Sequence, residues 1–159
     1  MNKKLTKQLD RIVGSENYEL NEGATIEQIH AWEECHKLSL PETYKELLLT
    51  GNGGDLDSLI LAELYDEHKA YNPEKDLYIE PVIKTMYAEV TKNKHLIILA
   101  MESFGDMYFL HVDNELVYHW SHETNKVKKR WKGIEGFLKT YLDEDEVKLF
   151  FLNAIKCRL

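Results

Sequence analysis

The chain has little of what would cross-link it, anchor it or charge it for a polyanion. It holds two cysteines in 159 residues, Cys35 and Cys157. That is too few for the disulfide framework of a small secreted domain and suits a reducing compartment. No apolar run approaches the roughly 18–20 residues that a membrane-spanning helix needs. Lys3, Lys4 and Lys7 stand near the N-terminus without the apolar stretch that a secretory leader places behind such charges. The expected location is therefore the cytoplasm. No internal repeat, low-complexity tract or Pro/Gly/Ser-rich linker divides the chain, so one domain over residues 1–159 is expected. Basic charge is also short, with 28 acidic side chains against 20 basic ones and a net charge of -8. Nucleic-acid binding rests on lysine and arginine displacing counterions, so direct binding of nucleic acid is disfavoured. The acidic excess would speed encounter with a basic partner; taken alone, a modest excess of this kind is more simply what keeps a protein in solution.

Catalytic patterns are missing too. Asn52-Gly53-Gly54-Asp55 has glycines but lacks the lysine-serine/threonine pair of a phosphate-binding loop, and it follows a helix instead of opening one. Cys35 and His36 are neighbours, which sets their side chains about 100° apart on a helix and prevents a nucleophile–base pair. A buried cysteine is the plainer expectation. Carboxylates are plentiful, but no pair is singled out by spacing. His111, His119 and His122 surround a predicted hairpin, where zinc would need three or four converging ligands. Whether they share a sheet face depends on a register that the sequence leaves open. No cofactor and no metal ligand set is expected.

What is present is a succession of amphipathic elements. Leu5, Leu9, Ile12 and Val13 fall at helical spacing. Thr25 with Gln28 forms a capping box that opens a helix carrying Ile29, Trp32, Glu33 and His36 along one stripe. Leu40-Pro41 restarts the chain, with Pro41 suited to a first helical turn, and Tyr44, Leu47 and Leu48 give the new helix an apolar face. Gly51-Asn52-Gly53-Gly54 reads as its left-handed C-terminal stop. Leu59–Leu64 and Leu96–Met101 read as strands, with a helix after Pro81 carrying Val82, Met86 and Val90 between them. Met107–Val112 and Glu115–Trp120 read as a hairpin turning at Asp113-Asn114. Two closing helices follow, one bearing Ile134, Phe137, Leu138, Tyr141 and Leu142, the other, at about 144–157, bearing Val147, Phe150, Phe151, Ala154 and Ile155. Asp143-Glu144-Asp145-Glu146 would meet the positive end of that second helix. The fold class is α+β: a mainly antiparallel central sheet of about 4–6 strands with helices from both ends of the chain packed around it.

The order Thr25, Ile29, Trp32-Glu33, Leu40-Pro41, Tyr44-Lys45, Leu48 and Asn52-Gly53-Gly54 resembles the signature of the SUKH superfamily, the Smi/Knr-like proteins. The apolar strand Ile97-Ile98-Leu99-Ala100, the turn Phe104-Gly105-Asp106, the aromatic strand Tyr108-Phe109-Leu110 and the strand ending Tyr118-His119-Trp120 follow in the same family order, and a helix with Phe137-Leu138 and Tyr141-Leu142 closes it. The resemblance covers roughly residues 20–142 and leaves the last helix as an addition. It implies a binding role with no catalytic residues. Bacterial members look like immunity proteins that neutralise a cognate secreted toxin, often a nuclease; eukaryotic members act as regulatory adaptors. A small metal-dependent hydrolase built on the histidines is a more distant alternative.

Glu33 lies on an apolar stripe, where a carboxylate must be hydrogen-bonded to be tolerated. It is expected to pair with backbone amides or a basic side chain near the Gly53-Gly54 turn, or else to touch a toxin. Asp55, Asp57, Glu63, Asp66 and Glu67 cluster after that turn, and Glu102 and Asp106 flank the next strand connection. Asp55, Asp57, Asp66 and Glu67 are the candidate contacts for a basic toxin, because binding residues concentrate in loops.

Overall fold

The computed structural model describes residues 2–64 and 95–156. The segment containing Asp66, Glu67 and the helix expected after Pro81 lies outside the described residues. The elements run α1 (Lys3–Val13), β1 (Glu19–Leu20), α2 (Ile26–His36), α3 (Glu42–Thr50), β2 (Gly54–Leu56), β3 (Leu59–Leu61), β4 (Leu96–Glu102), β5 (Met107–His111), β6 (Leu116–Ser121), β7 (Lys126–Lys132) and α4 (Ile134–Lys156).

Local chemistry sets the helix starts. The Asn2 side chain accepts from the backbone N–H groups of Lys4 and Leu5 to open α1. Both halves of the Thr25–Gln28 capping box form at α2, a device that contributes about 1 kcal/mol. Pro41 is the N-cap of α3 rather than a residue of its first turn, with φ -58° and ψ 145°. Its carbonyl accepts from Tyr44 and Lys45. Leu5, Leu9, Ile12, Ile29, Tyr44, Leu47 and Leu48 are buried as their spacing predicts, while Val13, the last residue of α1, is exposed.

Among the described residues the strands form one antiparallel sheet of seven, in the order β1 to β7. This exceeds the expected four to six. The additional strands escape a periodicity reading for physical reasons. β1 has two residues and β2 three, too few to show alternation. β7 reads Lys-Val-Lys-Lys-Arg-Trp-Lys, which looks like a solvated charge run. It is the edge of the sheet, where lysines guard unpaired backbone groups against pairing with another chain.

The glycine run after α3 works differently from the left-handed stop expected of it. Gly51 is extended, at φ -161°, and the positive angles belong to Gly53 and Gly54. A Cβ on Gly54 would lie 2.4 Å from the Glu19 carbonyl oxygen, so glycine is what allows β2 to close on β1.

Both faces of the central strands are buried. Ile97 and Leu99 of β4 and Tyr108 and Leu110 of β5 join the helix-side core, together with Phe137, Leu138 and Leu142 of α4. Met107 and Phe109 pack with Trp120 in a second cluster, against Leu96, Ile98 and Met101. Two-sided burial explains why these antiparallel strands read as continuous apolar runs rather than alternating ones.

The two closing helices are one continuous helix, α4, of 23 residues. Its acidic tetrad therefore lies mid-helix and meets no helix terminus. Asp145 is buried and accepts from the Tyr18 hydroxyl at 2.6 Å. Arg11 of α1 pairs with Asp143 at 3.0 Å and Glu146 at 2.7 Å. Three of the four acids, Asp143, Asp145 and Glu146, thus fasten α4 to the N-terminal part of the chain. Among the described residues no helix is long and apolar enough to cross a membrane.

Candidate partner-binding site

The residues of the first motif region build a frame. Glu33 accepts the backbone N–H of Leu40 at 2.7 Å and an ion pair from Lys45 at 3.0 Å. Its partners are thus the α2–α3 connection and α3, not the Gly53-Gly54 turn. Burial opposes its charge, but the Leu40 N–H and Lys45 prevail and hold its carboxyl below the usual range. Trp32 stacks on His36 with ring centroids 4.0 Å apart and packs against the core. Cys35 is exposed, against the expectation of burial, because it lies off the Ile29–Trp32 stripe. The Asn52 side chain accepts from Leu64 N–H at 2.8 Å, and its carbonyl accepts from the Asn21 side chain at 3.0 Å.

The candidate site lies at one end of the sheet, where the β2–β3 and β4–β5 turns meet. Leu56 pairs with Leu59, so Asp57 and Ser58 form a two-residue turn, with Asp57 left-handed at φ 66°. Ser103 N–H donates to the Ser58 carbonyl at 3.1 Å and docks one turn on the other. Gly105, at φ 98°, reverses the second turn, and its N–H reaches the Glu102 carbonyl at 2.9 Å.

Asp106 then fixes this turn to the end of β6. One carboxylate oxygen lies 2.7 Å from His119 Nε2. The other is 2.6 Å from His122 Nδ1 and accepts the His122 backbone N–H at 3.0 Å. Burial raises the cost of its charge, yet the bonds from His122 and His119 outweigh that and hold the carboxyl below its ordinary range. Two of the three histidines singled out in the sequence therefore meet on a carboxylate. The third does not join them: His111 stacks on His95 at the far end of β5. Among the described residues no group of three His, Cys, Asp or Glu is arranged to hold a metal ion.

Phe104 rides on the tip of this braced turn with 80% of its surface exposed. Beside it opens a cavity of about 130 Å³ between the turns and α4. Tyr108, Trp131 and Phe137 form its aromatic wall, Tyr108 lying 4.7 Å from Phe137 and 5.8 Å from Trp131 between centroids. Tyr108 donates its hydroxyl to Glu102 and stacks on His119 at 4.9 Å. Burial first, then Glu102, pushes the Tyr108 phenol well above its ordinary pKa, so it stays a hydrogen-bond donor. Glu102, Glu144 and Lys148 stand at the rim.

Of the acidic candidates, Asp57 belongs to this end. Asp55 sits in β2 opposite Ile60, on the other face from buried Leu56 and Leu59, and is exposed. Trp120 lies in the second cluster, with its indole N–H donated to Asn125 at 3.2 Å. Phe104, Trp131 and Glu144 were not anticipated as site residues. A bare phenylalanine inside Ser103-Phe104-Gly105 was the available signal, since a turn offers it nothing to pack against.

A seven-stranded antiparallel meander packed by helices from both ends, with a braced turn presenting an exposed aromatic, defines an α+β domain. The chain belongs to the SMI1 / KNR4 family (SUKH-1), which it matches over residues 23–140. Its fold is similar to that of a solved protein from Pseudomonas syringae pv. tomato, with a TM-score of 0.59 and 20% identity over 84% of this chain and 95% of that one. No curated protein matches the sequence.

Proposed function

We propose that this domain is an immunity protein that binds a cognate secreted toxin directly and occludes its active surface, the toxin being a nuclease with a basic phosphate-binding cleft. The observation that carries this reading is Phe104, 80% exposed on a turn that Asp106 and Ser58 hold in place. Burying a large apolar ring carried on a turn that is already fixed yields affinity without the cost of ordering the loop. Asp57, Glu102 and Glu144 around it supply the negative field that would guide a basic cleft onto the site. The family membership supports a binding role, and the acidic balance of the chain supports a basic partner. The domain is taken to act in the cytoplasm.

The test is co-purification and calorimetry with the product of the neighbouring gene, followed by survival of cells that express it. A nanomolar complex that protects cells is the expected result. Phe104→Ala should weaken it by about 30-fold or more, the scale of a hot-spot aromatic. A toxin-free binding partner recovered in its place would favour a regulatory adaptor. Full-strength binding by the Phe104→Ala variant would move the interface elsewhere.

A further inference from the structure

We propose that the cavity beside Phe104 is a receptor for one cationic side chain of the partner, a guanidinium before an ammonium. This deepens the immunity reading and rests on it. The cavity, of about 130 Å³, is a pocket rather than a flat acidic patch, and its chemistry is divided. One side is aromatic: Tyr108, Trp131 and Phe137 pack edge and face with centroids 4.7–5.8 Å apart. Tyr108 and Phe137 are buried behind Trp131, which is only partly buried and is the ring a guest can reach; cations are attracted to such a ring face within about 6 Å. The rim holds two carboxylates, Glu102 and Glu144, and the hydroxyls of Ser58 and Tyr141 lie between.

Three features favour a planar, multiply donating cation. The hydroxyls have fixed partners that leave acceptor capacity: Tyr141 donates to the Leu56 carbonyl at 2.8 Å and sits 2.9 Å from Ser58 Oγ. Glu102 already receives the Tyr108 hydroxyl on one oxygen, which orients the carboxylate and leaves its second oxygen for a guest. A guanidinium can stack and donate sideways at once, whereas an ammonium is a compact, strongly hydrated point charge. The apolar lip, Phe104, would cover the guest's aliphatic stem. Lys148, on the helix that also carries Glu144, lines the same cavity. It is the built-in competitor, a flexible amine that a better-fitting cation would displace.

The probe is N-acetyl-arginine amide titrated into the whole protein, followed by the nuclear magnetic resonance shift of the Trp131 indole N–H. That N–H is held by Thr140 Oγ at 3.1 Å inside the cavity. Saturable binding is expected, with none for the neutral, isosteric citrulline amide. Glu102→Gln and Glu144→Gln should each weaken the arginine probe by about fivefold, the scale of one partly exposed ion pair, and Lys148→Met should tighten it. Glu144→Gln serves where Glu102→Gln disturbs Tyr108. Equal, unsaturable shifts with the arginine and citrulline amides would overturn the inference. If the neighbouring toxin binds the native protein and the Glu102→Gln/Glu144→Gln protein equally well, the cation receptor falls while the immunity reading stands. If the arginine probe binds and the toxin does not, the immunity reading falls while the receptor stands.

Discussion

The carboxylate of Glu33 and the backbone N–H of Leu40 are joined at 2.7 Å, across the connection between α2 and α3. The same carboxylate pairs with Lys45 of α3 at 3.0 Å, so one acidic side chain ties α2 both to the connection and to the next helix. Glu33→Ala should leave the Leu40 N–H and the Lys45 ammonium without this partner and cost about 1–3 kcal/mol. Glu33→Gln, which keeps an acceptor, should cost less. Because the folded protein holds this carboxyl below its ordinary value of 4.5, the charged form stabilises the fold above that pH, and the contribution is lost as pH falls. Urea unfolding of native and Glu33→Gln proteins should therefore converge as the pH drops below about 4.5. A gap that persists unchanged at low pH would show that the charge does not contribute.

Asp106 makes the same kind of prediction at the other end of the molecule. It receives His119 and both a ring nitrogen and the N–H of His122, so Asp106→Asn should loosen the β4–β5 turn and cost about 1–3 kcal/mol. Its carboxyl is likewise held below its ordinary range, so the loss should shrink as pH falls through that range. The readout specific to the turn is amide exchange at Gly105 and Asp106, which should quicken more than exchange in α3. Uniform quickening throughout would mean that the contact supports only global stability.

Leu48 is 1% exposed in the helix-side core. Leu48→Ala should cost about 2–5 kcal/mol, with the spread set by how far Tyr44 and Leu47 can collapse into the space. The denaturant slope should stay constant while the midpoint falls. A loss under about 1 kcal/mol would indicate a site that repacks freely.

Legibility from the sequence follows the range of the interactions. The Thr25 capping box, the α3 stripe and the Asp113-Asn114 hairpin rest on contacts a few residues apart, and each forms as the spacing predicts. The need of Glu33 for a partner was readable from its stripe; which partner was not, because Leu40 and Lys45 are brought in by the turn between the helices. Asp106 meets His119 and His122 across a strand pair, beyond any periodicity. α4 reads as two helices because its acids resemble a helix start, and only the positions of Arg11 and Tyr18 show that Asp143, Asp145 and Glu146 are tertiary partners. β7 was hidden by its own lysines, whose role at a sheet edge does not depend on burial.

Electrostatic guidance separates the two sets of acidic residues. Glu102 and Glu144 line the cavity together with Phe104, and Asp57 lies in the β2–β3 turn docked beside it, whereas Asp55 lies on the other face of β2 from buried Leu56. If the turns form the interface, Asp57→Asn/Glu102→Gln/Glu144→Gln should slow association with the toxin at low salt and leave a weaker salt dependence. The field of the native site reaches about 30 Å at 0.01 M salt and about 10 Å at 0.1 M, so the rates of the two proteins should converge as salt is added. The set proposed from sequence, Asp55, Asp57, Asp66 and Glu67, shares only Asp57 with this group. Its quadruple neutralisation should therefore slow association less than the triple one does. Stopped-flow rates over a salt series decide between them. A quadruple variant that proves the slower of the two would shift the interface away from Phe104 toward Asp55 or the segment that carries Asp66 and Glu67. Identical rates for all three proteins would show that both acidic groups are solvated surface and that the toxin docks without electrostatic guidance.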